Sequence, residues 1–269
     1  MLLYGTMHAM RLRIASDLHV DSQDPARVEL PRLPDDENST LVLAGDYGTP
    51  FKMAQWIKLH ATHFAHIVMV LGNHDYWKYS LETAPRKWRE GLAKHLSETE
   101  LQRIHILEKE SIVLDGVRFM GTTLWTNFRN QELAMKTAEK ELNDYRYIRV
   151  KNGAYKLKAK NVMAEHYNCK NWILHTLAQD TEHPTVVITH FPPMSIPHIE
   201  WKENELLPAY INDMGAEWEN FLDTQPDIWI HGHVHHAYEH LHYDTLVTSN
   251  PHGYPKENTG FLSTRTLYV

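Results

Sequence analysis

Residues 230–236 read IHGHVHH, placing four of the chain's 20 histidines in seven positions around a single glycine. The preceding residues, Ile228 to Ile230, are apolar and β-favouring, so the histidines begin where a short strand stops. The same design recurs upstream. RLRIASDLH (11–19) alternates Leu12 and Ile14 with two arginines, breaks at Ser16, and then offers Asp17 and His19. STLVLAGD (39–46) is a continuous apolar run of the kind found in a strand covered on both faces, and it ends at Asp46. HIVMVLGNHD (66–75) ends on Asn73, His74 and Asp75, TVVITHFPP (185–193) on His190, and DIWIHGHVH (227–235) on His233 and His235.

Between these runs the spacing predicts helices over 51–64, 85–96 and 163–177, with Thr83 as a cap and Pro85 in the first turn of the second. SIVLDGVRFMGTTLW (111–125) reads as a hairpin turning at Asp115-Gly116, and a second hairpin is expected around His242 to Ser249. Parallel-type and hairpin-type strands together predict a mixed α/β chain. Residues 127–161 are charged and weakly periodic, as expected of a cap or insertion on a single domain spanning 1–269.

Composition narrows the class. Of 269 residues, 42% are hydrophobic and 23% charged, which is ordinary for a globular protein. The formal charge of −7 argues against a generally basic nucleic-acid binder. The single cysteine, Cys169, has no partner for an internal disulfide and is read as a structural helix residue. No stretch reaches the roughly 18–20 apolar residues of a membrane span, and the first 17 residues do not read as a signal peptide. The first folded element is expected near Arg11, with Met7 and Met10 as alternative starts, and the expected location is the cytoplasm.

An Asp or His after one strand is usually a turn or cap residue. Five successive strand ends carrying carboxylate, imidazole and amide oxygen are a metal-type set. That mixture suits Mn, Fe, Zn or Ni, whereas a closed structural zinc site would be rich in thiolates. There are more ligands than one ion can use, which points to two divalent ions about 3.5–4 Å apart sharing a carboxylate.

The ordered elements Asp17-Leu18-His19, Gly45-Asp46, Gly72-Asn73-His74-Asp75, His190 and Gly232-His233-Val234-His235 resemble the calcineurin-like metallophosphoesterases. The resemblance runs from residue 17 to 235 and implies a four-layer α/β/β/α sandwich, with two mixed sheets flanked by helices. It also implies that Asp17, His19 and His235 hold one metal, that Asn73, His190 and His233 hold the other, and that Asp46 bridges them. Gly232 is then expected to permit the tight turn that lets His233 and His235 reach different ions. His231 is read as a core residue or one that orients a ligating imidazole, with His236 and His240 at the surface.

Two divalent ions against two carboxylates leave an excess positive charge. That charge would attract an anionic ester and make hydroxide available from bridging water near neutral pH. His74, outside the ligand set of the family pattern, is then the candidate to hydrogen-bond the phosphoryl group or protonate the leaving oxygen, with Asp75 orienting it. Relatives acting on phosphoserine and phosphothreonine carry Asp-Arg where this chain has Thr49-Pro50, and tend to have Glu in place of Asp75. The resemblance is therefore closer to small bacterial-type phosphoesterases, including those acting on phosphodiesters. GTTLWTNF (121–128) and SNPHGYP (249–255) resemble a subgroup of these, in which Arg often stands at the position of His252.

Tyr76, Trp77, Trp125, Asn127, Arg129 and His252 are candidate substrate-pocket residues, the aromatics among them being equally compatible with plain packing. RYIRVKNGAYKLKAK (146–160) has six basic residues and no acid, which fits either a solvated hairpin or a nucleic-acid contact. Three functions follow: a hydrolase of small phosphodiesters or monoesters, a nuclease using the basic segment, and a non-catalytic scaffold of the same fold. The filled ligand positions argue against the scaffold, and a solvated hairpin at 146–160 is favoured over the nucleic-acid contact that a nuclease would use.

Overall fold

The structure is a computed structural model that describes residues 9–179, 182–195 and 204–269. In chain order the strands are β1 (Arg11–Ala15), β2 (Thr40–Ala44), β3 (His66–Val70), β4 (Ile104–Ile106), β5 (Glu110–Leu114), β6 (Val117–Thr122), β7 (Arg149–Val150), β8 (Tyr155–Lys156), β9 (Thr185–Thr189), β10 (Ile228–His231), β11 (Tyr238–His242), β12 (Thr245–Ser249) and β13 (Thr266–Tyr268). The helices are α1 (Pro50–His60), α2 (Ala84–Ala93), α3 (Glu98–Leu101), α4 (Glu132–Glu141), α5 (Asp144–Tyr147) and α6 (Ala159–Leu177). One sheet has the order β13-β1-β2-β3-β4, parallel except for β13. The other runs β11-β12-β10-β9-β6-β5, with a parallel centre and an antiparallel strand at each edge.

Strand alternation builds the layers. Leu12, Ile14, Val42, Ala44, Val68 and Val70 from the first sheet meet Phe119, Val186, Ile188, Ile228 and Ile230 from the second in one buried cluster. The intervening residues Leu41, Leu43, Ile67 and Met69 face outward to Met53, Ile57, Trp88 and Leu92 of α1 and α2. Met120, Val187 and Trp229 do the same toward Val162, Cys169 and Ile173 of α6. Two mixed sheets with helices outside them give the four expected layers.

The local expectations fared unevenly. Helix α1 stops at His60, not residue 64, because Ala61 and Phe64 are buried in the turn that leads to β3. Thr83 precedes α2 but makes no side-chain cap, its hydroxyl lying 2.9 Å from that of Ser80. Helix α6 starts four residues earlier than predicted, where Asn161 Oδ1 accepts from the Lys158 amide at 3.1 Å. The hairpin at Asp115-Gly116 forms with φ of 47° and 84°, the paired left-handed turn that favours such a dipeptide. The second hairpin begins earlier than expected, at Tyr238. Residues 127–161 fold into a short 3₁₀ turn, α4, α5 and the small β7–β8 ribbon.

Arg13 departs from the alternation rule. Its side chain is fully buried on the helix-facing side of β1, with Nη1 donating to Asp36 Oδ2 at 2.8 Å and Oδ1 at 3.0 Å. Asp36 is equally buried and also accepts from the Leu33 amide at 2.7 Å. Removing one partner of a buried pair strands the other charge in a medium that solvates it poorly. Asp36→Asn should therefore cost about 3–5 kcal/mol of unfolding free energy in chemical denaturation. A loss well under 1 kcal/mol would show that Arg13 finds its solvation elsewhere.

Candidate metal centre

The loops after β1, β2 and β3 of one sheet and after β9 and β10 of the other converge at a single seam. Backbone contacts tie them together: the Asp17 amide donates to Gly45 O at 2.9 Å, the His19 amide to Asp46 O at 3.1 Å, and the Gly232 amide to His190 O at 3.0 Å. The approach is close enough to exclude side chains at the glycines. A Cβ at Gly72 would lie 2.1 Å from Asp46 Oδ1, and one at Gly45 would lie 2.4 Å from His190 Nδ1.

Gly232 does not make the expected tight turn: it lacks a positive φ, and a Cβ there would lie 2.7 Å from both Ala44 O and Asp17 Oδ2. The left-handed backbone falls on His233, at φ 69°. Asp17 (52°), His19 (41°) and Asp46 (59°) share that region, which costs non-glycine residues of order 1–2 kcal/mol each. Four candidate ligands are thus held in backbone that the surrounding loops must over-determine.

Ligand atoms of Asp17, His19 and His235 lie within 4.8 Å of one another, as do those of Asp46, His190 and His233. Asn73 joins the second group through Oδ1, 3.1 Å from His190 Nε2. Asp46 stands between the groups, with Oδ1 3.4 Å from His190 Nε2 and Oδ2 3.9 Å from both His19 Nε2 and His74 Nε2. His19, Asp46 and His74 form a third trio of suitable spacing. All seven residues that the resemblance assigns to two ions are therefore brought together.

These residues fit divalent cations on three grounds. The donor set mixes carboxylate, imidazole and amide oxygen. The Nε2 of His19 and that of His235 face each other at 3.3 Å, an approach that needs a proton or cation between them. His233 Nε2 is buried without a hydrogen-bond partner. The outer nitrogens are held as ligating histidines require: His190 Nδ1 donates to Ala44 O at 2.8 Å, and His235 Nδ1 lies 2.6 Å from Glu257 Oε2. Burial alone would lower the pKa of His190 and His235, but Asp46 and Asp17 respectively prevail and push each up to about 9. Burial would raise that of Asp17, yet its bond to His235 and the nearby His190 bring it down to about 2. Protons on these imidazoles balance the carboxylates, so cation uptake must release them.

A further trio, Glu108, Glu165 and Cys169, is closed by the Lys109 ammonium, which contacts both carboxylates. Burial raises the Cys169 thiol pKa, which makes it unreactive, as a structural helix residue should be.

The other expected site residues divide. His74 lines a cavity of about 680 Å³, its ring stacked on Trp77 with centroids 3.9 Å apart. Asp75 does not orient His74. Its buried carboxylate accepts four backbone amides, from Asp46 and Gly72 at 2.8 Å, Tyr47 at 2.9 Å and Gly48 at 3.2 Å, and so locks the Asp46 loop onto the β3 loop. Tyr76 and Trp125 are core residues, 2% and 1% exposed, with centroids 5.1 Å apart. The Tyr76 hydroxyl is taken up by Glu108 at 3.0 Å. Arg129 donates to Ser195 Oγ at 2.5 Å and, with Asn127, stays off the cavity wall. His252 lines a neighbouring hollow with Gln23 and Tyr254. His231 is fully buried, its Nε2 2.6 Å from the Tyr238 hydroxyl, and burial lowers its pKa to about 4. His236 is exposed at the cavity rim and His240 half-buried on β11.

Three residues that sequence reasoning passes over also build the site. Tyr254 stacks on His19 at 4.2 Å with its hydroxyl 3.5 Å from His74 Nε2, Glu257 holds His235, and Asp144 holds Asn73. Tyr254 sits within SNPHGYP, so a signal exists there, but the neighbouring histidine is the more conspicuous residue of that motif.

Residues 10–237 match the calcineurin-like phosphoesterase family, and the chain belongs to it. An uncharacterized protein, L509, of Acanthamoeba polyphaga mimivirus is 27% identical over 93% of each chain. The fold resembles that of a phosphopantetheinyl hydrolase from Mycobacterium tuberculosis, with a TM-score of 0.71 and 16% identity over 97% of this chain and 96% of that one. It also resembles TT1561 of Thermus thermophilus, with a TM-score of 0.52 and 11% identity over 91% and 90%. Among the described residues no helix is long and apolar enough to cross a membrane.

Asp46 reaches both ligand groups and His231 neither. Asp46→Asn should lose both metals or nearly all activity, and His231→Ala should keep its metal and measurable activity. Elemental analysis finding two ions in the first variant and none in the second would reverse these roles.

Proposed function

We propose that this protein is a dinuclear metal-dependent hydrolase of small phosphodiesters or phosphomonoesters, with Mn, Fe, Zn or Ni as the candidate ions. One observation carries the reading: Asp46 turns one carboxylate oxygen toward His190 and the other toward His19, between two sets of ligand atoms. That is the arrangement two cations sharing a carboxylate require. When bound, such a pair supplies Lewis acidity and lowers the pKa of coordinated water.

The remaining residues bind, orient and move protons. Trp77 on one ring face and the Tyr254 hydroxyl near Nε2 fix His74 at the cavity rim, where it can hydrogen-bond a phosphoryl oxygen or protonate a departing one. Trp77, Leu142, Leu207 and Tyr210 supply apolar wall for the ester's organic part. Residues 141–144 line the same cavity, which supports reading 127–161 as a cap on a single domain. Thr49 and Pro50 begin α1, with Thr49 Oγ1 accepting from the Lys52 amide at 3.3 Å, and so supply no Asp-Arg pair for a phosphoprotein substrate. The basic 146–160 segment supports a nuclease less well, because Lys158 pairs with Glu139 at 3.1 Å and Arg146 donates to Lys140 O at 3.3 Å.

Substitution of His74 tests the proton role. Nitrophenolate departs unaided, whereas an alkoxide needs a proton. General acid catalysis is typically worth about 10²–10⁴-fold, so His74→Ala should lose that much on an alkyl diester and far less on bis(nitrophenyl) phosphate. Metal content should hold in the variant, and the wild type should prefer the aryl diester to a phosphoserine peptide in kcat/KM. Equal losses on both esters would assign His74 to holding the phosphoryl group. Loss of metal would make it a ligand, completing the trio with His19 and Asp46.

A further inference from the structure

Asp144 opens α5, inside the segment 127–161 and outside every motif that marks the family in this chain. It is 8% exposed, and its carboxylate points inward to the metal centre's edge. Asn73 Nδ2 donates to both of its oxygens, at 3.1 Å to Oδ1 and 3.0 Å to Oδ2, and Trp77 Nε1 donates to Oδ1 at 2.7 Å. Trp77 Nε1 can only donate, so Asp144 Oδ1 is an acceptor, and the Asn73 atom that meets the same oxygen at 3.1 Å is the NH₂. That turns Asn73 Oδ1 toward His190 Nε2 at 3.1 Å. The two ends of an amide differ little in shape, so packing alone does not select the face shown to a cation. A hydrogen-bond partner of fixed polarity does.

We infer that Asp144 is a positioning residue that holds the Asn73 amide oxygen toward the second metal position and, through Trp77, seats the ring on which His74 stacks. One carboxylate of the cap segment thus sets two parts of the centre. An amide turned the other way would aim two N–H donors at a cation and repel it. The inference rests on the dinuclear reading above and adds to it a ligand-orienting residue that the family motifs do not contain.

The inference predicts how swaps of polarity behave. Asp144→Asn keeps the size of the side chain but sets an NH₂ against the NH₂ of Asn73. Asn73→Asp alone sets two carboxylates about 3 Å apart, where like charges oppose one another. The pair Asp144→Asn with Asn73→Asp restores one donor facing one acceptor, with an oxygen still toward the metal and the Trp77 bond still accepted.

Calorimetric titration of the metal-stripped full-length protein with Mn²⁺ reads this without recourse to activity. Partners that orient a ligand are typically worth about 10–100-fold in metal affinity. The second Mn²⁺ should bind that much more weakly to Asp144→Asn, the first should be little changed, and the paired variant should recover most of the loss. Unfolding in the presence of chelator, measured on the same proteins, separates orientation from stability. Unchanged second-site affinity in Asp144→Asn would overturn the inference, as would a loss that the paired change leaves unrepaired. Failure of both variants to fold would overturn it too, since Asp144 would then be a determinant of the fold. A wild type binding fewer than two Mn²⁺ would instead sink the dinuclear reading on which the inference stands.

Discussion

The centre depends on one buried carboxylate that touches none of the candidate ligand side chains. Asp75 gathers four amides from two loops and so fixes where Asp46 stands against Gly72. Amides from two chain segments can converge on one carboxylate only if the backbones approach closely, and Gly45 and Gly72 allow that approach. The left-handed backbone at Asp17, His19, Asp46 and His233 is the counterpart of this crowding. Each such residue is strained locally and persists because neighbouring loops leave it no other conformation. Carboxylates and imidazoles packed this tightly repel or trap protons until cations are supplied, so the fold's strain and its affinity for metal have one origin.

Much of this is legible in the sequence because the ligands recur at strand ends. A β-branched run that stops at Asp or His states both where a strand ends and what its loop delivers. Five such runs are enough to foresee a mixed α/β chain whose loops deliver one ligand set, while the two sheets follow only from the family resemblance that those ligands carry. Their layering follows from alternation, as Leu41 and Leu43 face α1 while Val42 and Ala44 face the other sheet. Arg13 breaks the rule because its counter-ion, Asp36, comes from a loop that alternation does not describe.

The site's second tier is far less legible. Tyr76, Trp125 and Arg129 follow active-side strands, but the two aromatics turn into the core and Arg129 turns to Ser195, and a sequence shows position without direction. Asp75 lies beside His74 in the chain and bonds instead to backbone 27 to 29 residues away. Asp144 is separated from Asn73 by 71 residues and sits where periodicity is weak. Its contacts with Asn73 and Trp77 exist only once residues 127–161 are folded against the loop after β3, which no local pattern encodes. Gly232 stands out in the sequence as a turn residue, yet space and not torsion is what it provides.

Whether two cations share Asp46 is decided by anomalous diffraction from a Mn²⁺-loaded crystal, because the peaks locate ions independently of any assumed ligand set. A dinuclear centre should give two peaks about 3.5–4 Å apart, with one oxygen of Asp46 directed at each. A single peak, or two peaks of which only one touches Asp46, would contradict it.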